Sequence, residues 1–114
     1  MIDEVDALLK TTLAAQCPRV ARLIFRGKAG TYITYQLVLL QDRDAADDDM
    51  QGTEYTYRVD IYSKRDYIAL LRRTKQALQA AGFYGIVVDP EVYESDTGFY
   101  HVPIEAKYYE KTEV

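Results

Sequence analysis

The chain is poor in several residue types, and each scarcity closes off a class of protein. A single cysteine, Cys17, excludes an internal disulfide framework and any multi-cysteine zinc site. A single histidine, His101, leaves one imidazole for acid–base or nucleophilic chemistry. No apolar run approaches the roughly 20 residues that span a bilayer, so no membrane partner is expected. The opening Met1-Ile2-Asp3-Glu4-Val5-Asp6 is acidic and amphipathic, whereas a signal peptide opens basic and turns continuously apolar; synthesis and folding in the cytoplasm are expected. Positive charge is also short. Lys and Arg number 14 against 18 Asp and Glu, a net charge of −4, which argues against a protein gripping duplex DNA through its overall field.

What is present fits a small soluble domain. The 114 residues are 48% hydrophobic and 28% charged, enough for one modest core and too apolar for a disordered chain. A single domain over 1–114 is therefore expected.

The apolar residues Ile2, Val5, Leu8, Leu9 and Leu13 recur at helical spacing, with Asp3, Glu4 and Asp6 in the first turn, where the helix dipole favours negative charge. A helix is expected from Asp3 to Ala15, stopped by Pro18. Strands follow at Val20–Arg26 and Thr31–Gln41, the second rich in β-branched and aromatic residues. The stretch Asp42–Gly52 is polar and acidic and reads as a mobile surface loop. Glu54–Lys64 alternates strictly, with Tyr55, Tyr57, Val59, Ile61 and Ser63 on one face. Ser63 and Asp66 then have the spacing of a capping box for a second helix. Its buried stripe is Tyr67, Leu70, Leu71, Thr74, Leu78 and Ala81, and Gly82 is its left-handed cap.

Short strands at Gly85–Val88 and Glu91–Glu94 lead through the turn Ser95-Asp96-Thr97-Gly98 to a last strand, Phe99–Tyr109. There Tyr100, Val102, Ile104, Ala106 and Tyr108 share the core face, and Pro103 suggests an edge strand or a bulge. Only the link through Ser63–Gly82 is long enough for a helical crossover. The expected fold class is α+β: a two-layer sandwich, a mostly antiparallel sheet with both helices on one face.

Candidate chemistry is sparse. Nucleophilic catalysis would need Cys17 beside His101, yet Cys17 sits at a helix end and His101 falls on the face opposite Val102, as a surface imidazole. An EF-hand starting at Asp42 fits at Asp42 and Asp44 but fails at Ala46, Asp47 and Thr53. No phosphate loop, paired catalytic carboxylates or metal-spaced ligands occur, so no catalytic residue, metal or cofactor is assigned. Lys64, Arg65, Arg72, Arg73 and Lys75 gather positive charge near the second helix without the interleaved aromatics of a nucleic-acid face. These charges, Arg72 and Lys75 above all, are candidates to meet the aspartates of a neighbour: Asp42, Asp44, Asp47, Asp48 and Asp49.

Tyrosine is the unusual abundance, eleven against three Phe and no Trp. Its large ring and water-tolerant hydroxyl suit surfaces exposed in a free subunit and covered in an assembly. Tyr32, Tyr62 and Tyr109 fall on outward faces and complete the candidate interface. Gly98 is assigned as a structural turn residue needing positive φ.

Three segments, in order, resemble the tail completion proteins of long-tailed bacteriophages, the small tail-to-head joining or tail terminator subunits. They are Thr31-Tyr32-Ile33-Thr34-Tyr35-Gln36, here without the proline that precedes the family's strand; Tyr57-Arg58-Val59-Asp60-Ile61-Tyr62-Ser63-Lys64, continuing to Gly82-Phe83; and Tyr93-Glu94-Ser95-Asp96-Thr97-Gly98-Phe99-Tyr100-His101. Asp42–Gly52 looks like an insertion relative to that family. The resemblance implies a non-enzymatic ring, typically of six subunits, at the head-proximal end of the tail tube. Such a ring caps tube growth and joins the tail to the head connector, with genomic DNA only as passing cargo. A head-side neck adaptor is the nearest alternative. A small nucleic-acid-processing enzyme using His101 is the alternative from another class.

Overall fold

The computed structural model describes residues 1–44 and 51–111. The order is α1 (Ile2–Ala14), β1 (Val20–Arg22), β2 (Thr31–Asp44), β3 (Gln51–Ser63), α2 (Ile68–Ala80), β4 (Tyr84–Val88), β5 (Val92–Glu94) and β6 (Phe99–Lys111). The sheet runs β1-β2-β3-β6-β4, with β5 also on β6, and every pairing is antiparallel except β1 with β2. This is the expected α+β sandwich with a mostly antiparallel sheet.

The alternation read from the sequence places the core. Ile33 and Tyr35 of β2, Tyr55, Tyr57, Val59 and Ile61 of β3, and Val102, Ile104 and Ala106 of β6 are buried with Val5, Leu9 and Leu13 of α1 and Leu70 and Leu78 of α2. Both helices therefore cover one face. Tyr100, placed on that face from the sequence, lies against Tyr67 at its margin and keeps 40% of its surface exposed.

The parallel contact arises where the sequence offered no crossover. The β1 strand ends at Arg22, short of the expected Arg26, and an eight-residue return sets it beside Ile33–Tyr35. Leu23 in that return has φ +67, a left-handed conformation that costs a non-glycine residue about 1 kcal/mol. The crossover through α2 does exist, but it carries β4 past β6 instead of alongside β3.

Two further expectations are corrected. Ser63 does not cap α2: its Oγ accepts from the amide of Arg65 (3.2 Å), and Asp66 Oδ1 accepts from the amide of Ile68 (3.0 Å) at the helix start. The chain turns further before α2 starts, so the N-cap position falls to Tyr67, which makes no side-chain capping bond. Pro103 lies within β6, which has β3 on one side and β4 and β5 on the other, and so is not on an edge strand. It is tolerated at the seam where β5 has ended at Val92↔His101 and β4 begins at Val88↔Ile104, so no ladder partner asks for its missing N–H; its carbonyl accepts from Asp89 (2.9 Å).

The C-terminus of α2 behaves as expected. Gly82 has φ +101, its amide reaches the Gln79 carbonyl (3.1 Å), and the Phe83 amide reaches Leu78 (2.9 Å), the paired bonds of a Schellman cap. Gly98 closes the β5–β6 turn at φ +79.

The expected loop at Asp42–Gly52 is strand at both of its described ends. The β2–β3 ladder continues to Asp44↔Gln51, so Asp42 and Asp44 are strand residues, while Asp47, Asp48 and Asp49 lie outside the described residues. Polar cross-strand pairs replace apolar packing there. Thr53 Oγ1 donates to Asp42 Oδ1 (2.9 Å), and Arg43 pairs with Glu54 (3.0 Å). With β6 following β3 as far as Gly52↔Lys111, three strands form an arm that the start of α1 meets at Glu110, and the longest dimension is 51 Å.

Candidate interaction surface

The helix-free face of the sheet carries the residues that the outward phase predicts. Register fixes their neighbours: Tyr32 lies opposite Tyr62, and Tyr62 opposite His101. Directly opposed residues share a face, so the three rings form a row across β2, β3 and β6. Phe25, from the return after β1, adds a fourth. Its ring stacks on Tyr32 at 4.7 Å, Tyr32 on Tyr62 at 4.7 Å, and Tyr62 on His101 at 4.2 Å, with interplanar angles of 15–17°. Phe99 stands edge-on to both tyrosines, and Lys64 Nζ sits 5.1 Å from its centroid.

The ladder ends in charge. His101 Nε2 is 2.7 Å from Asp60 Oδ1, which also lies 3.0 Å from Arg58 Nε. An ionised carboxylate only accepts, so Nε2 carries the hydrogen. His101 Nδ1 faces Glu94 Oε2 at 3.8 Å. Only 15% of the His101 side chain is exposed, which corrects the expectation of a surface imidazole. The outward phase was right; the row of rings on that face is what covers it. Burial, followed by the nearby Asp60, pushes the Tyr62 phenol up to about 12, and burial also raises Tyr32.

Tyr109, the third outward tyrosine, is far from this row. It lies on the arm over Gly52, where any Cβ would collide with its ring and with the Glu110 carbonyl. Next to it, Glu54 is buried between Arg43 and the Tyr84 hydroxyl, which donates to its Oε2. That hydrogen bond, then Arg43, holds the Glu54 carboxyl below its usual range, while burial and Glu54 push Tyr84 up to about 12. On the helix side, the Tyr55 hydroxyl donates to Glu110 (2.9 Å), whose other oxygen meets the Met1 amino group. The Glu110 carboxyl is lowered by that amine first. Burial, then Glu110, raises Tyr55 to about 12.

The sheet leaves apolar edges. Beyond Tyr35 the outer side of β2 has no partner strand among the described residues, and Val38, Leu39 and Leu40 are exposed there beside a β-bulge. Across the sheet, Val87, Val88, Val92 and Tyr93 are exposed on β4 and β5.

The fold brings Tyr32, Tyr62 and His101 together and leaves the remaining candidates apart. Arg72 and Lys75 are exposed on α2, Asp42 is on the arm, and Cys17 is buried beside the Arg19 and Thr31 carbonyls on the helix side, away from His101. Among the described residues no three His, Cys, Asp or Glu side chains stand close enough to hold a metal, and no helix is long and apolar enough to cross a membrane. Asp60, Arg58, Glu54 and Phe25 were not singled out in the sequence. The outward phase of β3 was the available signal for Asp60, but its pairing with His101 depends on a register between strands distant in sequence.

No family model matches the chain, and no curated protein matches it. Among solved structures, a chain in "Virion of native gene transfer agent (GTA) particle" superposes with a TM-score of 0.55 over 93% of each chain, at 15% identity. The two chains share a fold. The β6-centred sheet, its extended arm and the helix layer thus correspond to nearly the whole of that virion chain.

Proposed function

We propose that this chain is a non-enzymatic structural subunit of a phage-like virion, acting as a single domain in a homo-oligomeric ring, six-fold by the family's habit. In this reading the ring sits at the head-proximal end of the tail tube, ends tube growth and joins the tail to the head connector. The observation that carries the reading is the fold shared along 93% of both chains with a gene transfer agent virion component. The ordered resemblance of Thr31–Gln36, Tyr57–Lys64 and Tyr93–His101 to tail completion proteins supplies the finer assignment.

The surface suits that role. A ladder of stacked rings on a helix-free face and two apolar strand edges are features that assembly covers. Head-to-tail contact between unlike edges generates a closed ring when the rotation closes. The negative balance lets DNA pass without adhering. His101 is held by Asp60 and Tyr62 in a structural setting, with Cys17 on the other side of the sheet, which favours assembly over catalysis.

The test is sedimentation of the purified chain at micromolar concentration, alone and with tail tubes. Reversible self-association alone and a stable ring on tubes are expected. A strictly monomeric species in the presence of tubes would remove the assembly reading, and a ring that forms only on the head connector would move it to the neck.

A further inference from the structure

At the end of the sheet opposite the arm, a cleft of about 510 Å³ opens between the α1–β1 turn, the start of β2 and the first turn of α2. Its charged lining is Arg19, Arg65 and Arg73 with one acid, Asp66, whose Oδ1 accepts from the Ile68 amide. None of the three guanidiniums is in an ion pair among the described residues, although Asp6, Glu54 and Asp60 all attract arginines elsewhere. Tyr67 forms part of the wall, and its buried hydroxyl has no hydrogen-bond partner among the described residues. A second opening, sharing Ala29 and Gly30, adds Lys28 and Lys64 beside the Phe25–Tyr32 end of the ring ladder. Cations outnumber acids there, in a chain that is negative overall.

The opposite charge lies at the other end of the same strands. Five aspartates fall within Asp42–Asp49, a stretch tethered to the Asp44↔Gln51 pair, whereas the cleft adjoins Thr31↔Ser63. Thirteen residue steps of strand at about 3.3 Å each put Asp44 roughly 40 Å from the cleft end. The six residues between Asp44 and Gln51, tethered at both ends, reach only about 10 Å further, too little to return to the chain's own cleft. Any acidic occupant belongs to another molecule.

We propose that the Arg19–Arg65–Arg73 cleft receives the acidic segment, residues 42–49, of a second copy of this chain. The proposal rests on the ring reading and deepens it: charge at opposite ends of an elongated subunit gives a heterologous, head-to-tail contact and fixes its direction. Paired arginines suit carboxylates, which they bind through two parallel hydrogen bonds. Net charge and cleft size favour a carboxylate-bearing segment over duplex DNA. The contact is a charged, salt-sensitive one, in keeping with subunits that close firmly only on a partner.

The test uses the full-length protein, dilute enough to be monomeric, and a fluorescent peptide of residues 41–51. Binding is expected at low salt and should weaken on the order of tenfold as salt rises to physiological levels and beyond. It should be lost with the five aspartates changed to Asn, and lost in Arg65→Glu/Arg73→Glu. Arg72→Glu/Lys75→Glu changes charge equally on α2 away from the cleft lining and should keep binding. Arg65→Gln/Arg73→Gln, with melting followed, guards against a folding defect. Equal loss in the two double variants would mean general attraction and overturn the proposal. So would a peptide that fails to bind, or a duplex oligonucleotide that binds at Arg65 and Arg73 where the peptide does not. None of these outcomes bears on whether the chain is a virion ring, which sedimentation on tail tubes decides separately.

Discussion

His101 and Asp60 meet at 2.7 Å on the helix-free face, from strands whose register places Asp60 opposite Pro103 and His101 opposite Tyr62. The imidazole thus joins two systems, closing the row of stacked rings and donating to a buried carboxylate.

Replacing His101 with Ala is accordingly expected to cost about 1–3 kcal/mol, because it leaves the Asp60 carboxylate with Arg58 alone. Gly98→Val, at φ +79, should cost about the same through backbone strain. For the surface imidazole expected from the sequence, His101→Ala would be nearly silent. Melting curves of the two variants decide the matter: a His101→Ala shift within noise would show that the Asp60 contact contributes nothing.

Tyr62 stacks on two rings, whereas Tyr93 has one tilted contact, with Tyr100. Tyr62→Leu keeps bulk but ends the stacking, and is expected to cost about 1–2 kcal/mol. Tyr93→Leu should cost less than about 0.5 kcal/mol. Denaturant unfolding of both would check this, and equal midpoints would contradict it.

Much of this arrangement could be read from alternation alone. Tyr57, Val59 and Ile61 pointed inward and Tyr62 outward without any knowledge of the partner strand, and Gly82 and Gly98 declared their left-handed turns. Pairing across long sequence separations could not be read. Tyr62 and His101 are 39 residues apart, and nothing local sets their register. The arm was hidden for another reason: Asp42 and Arg43 look like loop residues, yet they hold the ladder by pairing with Thr53 and Glu54. The strand at Val20–Arg26 was legible, but its early end at Arg22 and its parallel pairing were not, because the return depends on Leu23 at positive φ, which leucine does not advertise.

Gly52 is predicted to tolerate no side chain. Gly52→Ala would drive a Cβ into the Tyr109 ring and the Glu110 carbonyl, at an expected cost of about 1–3 kcal/mol. Gly30→Ala, whose Cβ meets only the end of the Arg65 side chain, serves as the control. Equal stability of the two in thermal unfolding would mean that the arm yields freely.

Stability should fall at both pH extremes for identifiable reasons. Glu54 and Glu110 titrate below their ordinary value in the fold, so their contribution is present above about pH 4.5 and is lost as pH falls through the depressed values. Tyr55, Tyr62 and Tyr84 are raised to about 12. Between about pH 10 and 12 the unfolded chain would release these protons while the fold retains them, so stability declines across that window. Phenolate absorbance near pH 11 should show fewer than the full eleven tyrosines ionised in the native protein, and the rest on unfolding. Eleven simple titrations near pH 10 would contradict the buried hydroxyl network.

Cryo-electron microscopy of particles assembled with the chain and without it decides whether the proposed ring exists. A ring of copies of this fold is expected between the tail tube and the head connector. Without the chain, tails of uncontrolled length that fail to join heads are expected. Complete particles of normal tail length formed in its absence, or a chain found nowhere in the virion, would contradict the ring.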